Sequence, residues 1–116
     1  LFIDDIRIPP DNTWHWCRSI IQAVRALDQF ALQIEKIQLD HDINQVVTVG
    51  QVPKLYPTEE CFETVARYIA LLKRLNPDWN PEIILHTFNA VGANNMERIL
   101  NEVGLRAKKQ IQVEVK

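Results

Sequence analysis

Cysteine is scarce in this chain. Cys17 and Cys61 are the only two, and they form neither a disulfide framework nor a Cys-x-x-Cys pair. A reducing compartment, the cytoplasm, is therefore expected. No apolar run approaches the length of a membrane span, and no signal-peptide pattern is present, so no membrane partner is expected. The formal net charge is only -2, which argues against a general polyanion binder and so against duplex DNA as a partner. A small nucleotide-like ligand needs only a local positive site and stays open. There is no internal repeat and no low-complexity segment. The first residue is Leu rather than Met, so trimming or a lost preceding tag is expected.

What is present is an ordinary globular composition, 47% hydrophobic and 24% charged over 116 residues. One domain with its own core, spanning 1–116, is expected. Three apolar runs stand out because each ends abruptly in polar residues. Leu1-Phe2-Ile3 ends in Asp4-Asp5, Ile37-Gln38-Leu39 in Asp40-His41-Asp42, and Ile83-Ile84-Leu85 in His86-Thr87. Continuous apolar runs are typical of buried parallel strands, and ligands bind outside the carboxyl ends of such strands. The three motifs therefore describe one site assembled from distant parts of the chain.

The remaining elements follow from periodicity. Thr13 to Arg18 alternates and carries two tryptophans, which favours a second strand. Ser19 caps a helix to about residue 30, and Glu35 to Leu39 is the third strand. Residues 43–58 break the pattern. Val46 to Val49 reads as a short strand at most, because Gly50, Pro53 and Pro57 interrupt it, and so long a connection suggests a lid or binding loop. Thr58 is expected to cap the next helix, with Glu59 and Glu60 in its first turn. A turn at 76–81 leads to the fourth strand, Glu82 to Leu85. Asn89 caps a helix from about 90 to 103, stopped by Gly104. Lys108 to Val115 alternates as a half-buried edge strand. It can pair with another copy, but its glutamines and Glu114 do not demand an oligomer. The predicted fold is α/β: a doubly wound, mostly parallel five-stranded sheet of flavodoxin or receiver type, order 2-1-3-4-5.

Each motif has a functional and a plainer reading. Asp4 and Asp5, adjacent in a partly desolvated cleft, need a cation such as magnesium or a shared proton. Alternatively one of them caps a loop and pairs with Arg7. His41 is a candidate general acid/base oriented by Asp40 or Asp42, or a metal ligand. The plainer reading is a solvated turn. His86, Thr87 and Asn89 lead into a helix start of small residues, Ala90-Val91-Gly92-Ala93, where N–H groups receive phosphate and Gly92 permits close approach. The plainer reading makes Asn89 a helix cap and His86 a core histidine. Arg7 is placed to contact phosphate or to neutralise Asp5. His15 reads as a surface residue, and Trp14, Trp16 and Trp79 as packing.

Leu1-Phe2-Ile3-Asp4-Asp5-Ile6-Arg7-Ile8-Pro9, Leu39-Asp40-His41-Asp42 and His86-Thr87-Phe88-Asn89-Ala90-Val91-Gly92-Ala93 together resemble the cyclic-phosphate processing receiver-like domain family, cREC. The resemblance implies a receiver-like sheet and processing of a cyclic phosphate on a nucleotide or RNA end. Asp4, Asp5, Arg7, Asp40, His41, Asp42, His86 and Asn89 match the family's polar positions, and Thr87 stands where Ser or Thr is usual. One departure is the segment 43–58, which lacks a clear glycine before the next helix. The resemblance also argues against phosphorelay signalling. Glu114 and Val115 stand where a receiver carries its lysine, and His41 and His86 have no place in that mechanism.

The expected activity is therefore a cyclic-phosphate phosphoesterase. In one scheme a metal held by Asp4, Asp5 and Asp40 or Asp42 polarises the phosphate. In the other, His41 and His86 act as base and acid without metal. Arg7, Thr87 and the N–H groups from Asn89 to Ala93, including Gly92, hold the phosphate oxygens in both. The alternatives are sequestration of a cyclic or phosphorylated nucleotide without cleavage, and a pseudo-receiver acting through protein contacts.

Overall fold

A computed structural model of the chain describes residues 1–50 and 52–111. The chain runs through β1 (Phe2–Ile3), β2 (Trp16–Cys17), α1 (Ile20–Phe30), a single 3₁₀ turn (Ala31–Gln33), β3 (Lys36–Leu39), β4 (Asp42–Val49), β5 (Val52–Cys61), α2 (Glu63–Leu75), β6 (Glu82–Thr87), α3 (Ala90–Asn101) and β7 (Ala107–Ile111). Five strands form one sheet in the order β2-β1-β3-β6-β7, and every pairing in it is parallel. The expected order 2-1-3-4-5 is modified because two further strands, β4 and β5, intervene in the chain and pair only with each other.

Among the described residues, the sheet is not wound on both faces as expected. The connections β2 to β3, β3 to β6 and β6 to β7 all step across the sheet in one direction. Right-handed crossovers then place α1, α2 and α3 in one layer, and α2 touches both α1 and α3. The alternation of the strands agrees. Ile3, Ile37, Leu39, Ile83 and Leu85 join the helices' Ala23, Leu27, Val65, Ile69, Met96 and Leu100 in the main core. Phe2 and Ile84 are buried on the other face, where Phe2 meets Trp14 edge to face at 5.9 Å. Trp14 belongs to the loop between β1 and β2, which has no helix in it. Leu85 is fully buried in β6, next to the sheet's centre. Leu85→Ala is expected to cost about 3 kcal/mol, read as a lowered denaturation midpoint with unchanged slope.

Local chemistry sets most boundaries. Ser19 caps α1 by accepting from Gln22 N–H at 3.1 Å. Gly104 adopts φ +84°, and Leu105 N–H returns to Leu100 O at 3.1 Å, which closes α3 in the left-handed manner. The largest departure is 43–58, which forms the β4–β5 hairpin rather than a loop. Gly50, at φ +67°, sits in the turn. Pro53 and Pro57 are tolerated because a two-stranded hairpin has only edge strands, so a missing N–H can face outward. Hence α2 begins at Glu63, not at Thr58 with Glu59 and Glu60 in its first turn. Buried Phe62 precedes it, and its N–H is tied to His41 O at 2.8 Å. Of the expected last strand, residues 112–116, including Val113, Glu114, Val115 and Lys116, lie outside the described residues. No helix among the described residues is long and apolar enough to cross a membrane.

Candidate functional site

β1 and β3 pair with Phe2 opposite Gln38 and Ile3 opposite Leu39, and β3 and β6 with Gln38 opposite Ile84. Parallel register brings the polar ends of the three strands to one edge of the sheet, as expected. Strand alternation then divides those ends between two faces. Gln38, Asp40, Asp4 and His86 belong to the face without helices. His41 and Thr87 belong to the helical side.

The first group is acidic. Asp4 is buried, and its Oδ1 accepts from the N–H groups of Ile6 (3.0 Å) and Arg7 (2.8 Å), a local turn that aims Arg7 back at the site. Arg7 Nη1 lies 3.3 Å from Asp4 Oδ2, and Nη2 lies 3.8 Å from Asp40 Oδ1. Arg7 Nη1 also donates to His86 O at 2.8 Å, and its guanidinium sits 5.1 Å over the Phe88 ring. Arg7 therefore pairs with Asp4 and Asp40, and the carbonyl of Asp5 is held by Arg18.

Asp40 is buried and its Oδ1 accepts His41 N–H at 2.8 Å. Burial pushes its carboxyl up to about 7, the charge of Asp4 adds to this, and the His41 N–H and Arg7 oppose it. One carboxylate oxygen from each of Asp4, Asp5 and Asp40 falls within 4.8 Å of the others. Among the described residues, Arg7 is the guanidinium that pairs with Asp4 and Asp40. The all-oxygen donor set fits a hard divalent cation such as magnesium.

His86 Nδ1 is 3.0 Å from Arg7 Nη1 and 2.9 Å from Gln38 Nε2. Arginine donates only, so Nδ1 accepts and the ring proton belongs on Nε2. Burial, followed by the Arg7 charge, lowers the His86 pKa from its ordinary value, which keeps the ring neutral. Gln38 was not singled out from the sequence. Its one signal is a polar residue between Ile37 and Leu39 in a central strand.

The second group surrounds His41. Its Nδ1 is 2.7 Å from Asp42 Oδ1 and its Nε2 is 3.1 Å from Glu63 Oε2. Asn89 Nδ2 donates to Asp42 Oδ1 at 3.1 Å, and Cys61 Sγ donates to Glu63 Oε2 at 3.3 Å. Burial raises Glu63, but hydrogen bonds from His41 and Cys61 outweigh it, leaving the carboxyl below its ordinary value. Glu63 and Cys61 were not found in the sequence either. Both reach His41 through the hairpin and the start of α2, and no local pattern marks them.

The start of α3 differs from the phosphate cradle expected there. Asn89 Oδ1 accepts Gly92 N–H at 2.8 Å, and Asn89 O accepts Ala93 N–H at 2.9 Å. Thr87 is buried, with Oγ1 accepting Asn89 N–H at 3.1 Å. The N–H groups of Gly92 and Ala93 are thus committed to the helix cap. Gly92 makes room for His41 rather than for a ligand: a Cβ there would lie 2.4 Å from His41 Cγ and Cδ2. Trp79 is buried, as expected, and His15 is exposed. Trp16 Nε1 donates to Asp4 O at 2.8 Å.

The family model described as Cyclic-phosphate processing Receiver domain matches residues 1–102. No curated protein and no solved structure matches the chain. The matched region contains all three strand-end motifs and both groups built on them. The chain belongs to the cyclic-phosphate processing receiver domain family.

Proposed function

We propose that the chain hydrolyses a cyclic phosphate, carried by a nucleotide or an RNA end, at the carboxyl edge of β1, β3 and β6. The observation that carries this reading is the acidic group. Three carboxyls, one guanidinium and a neutral imidazole share one strand edge, in a family named for cyclic-phosphate processing. Asp4, Asp5 and Asp40 would hold magnesium, which when bound polarises the phosphate and neutralises developing charge. Arg7 and the Nε2–H of His86 donate to phosphate oxygens. Asp42 holds His41 at Nδ1 and Glu63 holds it at Nε2, so Nε2 acts as a base toward water once its proton has passed to Glu63. Water oxygen bonds to phosphorus, one P–O bond of the ring breaks, and the departing oxygen gains a proton from solvent. The Glu63 contact on Nε2 opens to admit that water. Exposed Phe88, beside Arg7, offers a ring for a base to stack on.

Mass spectrometry of purified protein with 2′,3′- and 3′,5′-cyclic nucleotides, with magnesium and with chelator, tests this. The expected product is the ring-opened monoester, one water heavier. His41→Ala and His86→Ala are each expected to slow it by roughly 100-fold or more. Wild-type rates in both variants would sink the assignment, and an unchanged chelator lane would remove magnesium from it. A second reading, sequestration without cleavage, is favoured by one observation: both His41 nitrogens are already engaged by carboxylates. It predicts that the nucleotide is retained and recovered intact after denaturation. Neither turnover nor retention would leave a pseudo-receiver.

A further inference from the structure

We propose that His41, Cys61 and Glu63 form a second metal site, selective for a zinc-class ion rather than magnesium. One ligand atom from each falls within 4.8 Å of the others. The set combines imidazole nitrogen, thiol sulfur and carboxylate oxygen. A thiolate discriminates strongly for soft and borderline ions and against magnesium. Three protein ligands of these types leave a tetrahedral ion one open position.

Two features beyond the ligand set support the site. Asp42 Oδ1 lies 2.7 Å from His41 Nδ1, the outer contact that orients a zinc-binding histidine and leaves Nε2 as the ligand atom. The backbone also holds the three residues together. Asp42 pairs with Cys61 across the base of the hairpin, and Phe62 N–H, between Cys61 and Glu63, bonds to His41 O at 2.8 Å. The hydrogen bonds from His41 Nε2 and Cys61 Sγ both end on Glu63 Oε2, at 3.1 and 3.3 Å. The side chains therefore converge already. Binding releases the thiol proton, and any proton on Nε2, to solvent.

An ion on Nε2 removes that nitrogen from proton transfer. The site is therefore inhibitory toward the hydrolysis proposed above, and this part rests on that reading.

Cobalt(II) titration of metal-stripped, reduced protein is the test, because it reads binding without any activity. One equivalent should give a near-ultraviolet thiolate-to-cobalt band and intense visible bands, both erased by zinc. Cys61→Ser should lose the near-ultraviolet band, and Glu63→Gln and His41→Gln should weaken binding at least tenfold, with circular dichroism confirming the fold. Asp4→Asn, in the acidic group, should leave the spectrum unchanged. Absence of the band in the wild type, or its persistence in Cys61→Ser, overturns the site. If cyclic nucleotides are turned over, one equivalent of zinc should stop turnover, and a zinc-selective chelator with magnesium in excess should restore it. Stoichiometric binding with undiminished turnover would overturn the inhibitory part alone.

Discussion

Asp40→Asn is expected to raise thermal stability above pH 7 while abolishing turnover of cyclic phosphate. The Asp40 carboxyl titrates near 7 in the folded protein, against an ordinary value of about 4 in the unfolded chain. Below about pH 4 it is protonated in both states and contributes nothing to the pH dependence. Between about 4 and 7 the folded state alone binds the proton, so stability falls as pH rises. Above about 7 the folded protein carries the full penalty of a buried charge beside Asp4. Three pKa units set a ceiling of about 4 kcal/mol, and about 1–3 kcal/mol is expected in practice. The amide can keep the bond from His41 N–H through Oδ1, so the local turn survives. Melting curves in chelator at pH 5 and pH 8 check this. The variant should gain several degrees over wild type at pH 8 and much less at pH 5. A gain independent of pH would show that ionisation of Asp40 is not its source. The same substitution withdraws one carboxylate from the acidic group, so the catalytic loss and the stability gain have one cause.

Gly92→Ala should be far more damaging than an alanine in a helix ordinarily is. Elsewhere in a helix the change stabilises by roughly 0.5–1 kcal/mol. Here the added carbon would sit 2.4 Å from two atoms of the His41 ring and 2.6 Å from Nδ1. The ring cannot retreat cheaply, because Asp42 and Glu63 hold it from both nitrogens. A net loss of about 2 kcal/mol is expected from overpacking. Turnover should drop roughly 100-fold, because His41 is displaced from its working position. Denaturant midpoints and initial rates read the two effects separately. A stabilised, fully active variant would mean that His41 is free to move and is not the proton acceptor.

The acidic group was legible in the sequence because its signal is local. An apolar run that stops at carboxylates marks the carboxyl end of a buried strand, and a parallel sheet aligns such ends. Asp4, Asp5, Asp40 and His86 were found in this way. Their division from His41 was less evident. It follows from the two-residue period within each run, which sends Asp40 and His41 to opposite faces. The hairpin was missed because Pro53 and Pro57 argue against a strand embedded in a sheet, and they are harmless in a strand paired on one side only. Glu63 and Cys61 were invisible for a related reason. They sit beside His41 only because β5 returns to the point where β4 began. The start of α3 shows the opposite failure, because the features that suggest a phosphate cradle are also those of a helix capping itself. Asn89 with Gly92 and Ala93 does the latter.

The pairing of Asp42 with Cys61 makes the hairpin an arm inserted into the site rather than appended to the surface. Its two roots are themselves site residues. Residues can be added or removed at its tip in matched pairs, one from each strand, without altering what faces His41. An unmatched deletion in one strand slides the register. Because side chains alternate with a period of two, a slide of one residue would turn the Cys61 sulfur away from the imidazole. Within the regular ladder from Asn44 opposite Pro57 to Val49 opposite Val52, the geometry therefore constrains the parity of the arm's length rather than the length itself, and the one register shift lies at its base, between Asp42 and Asn44.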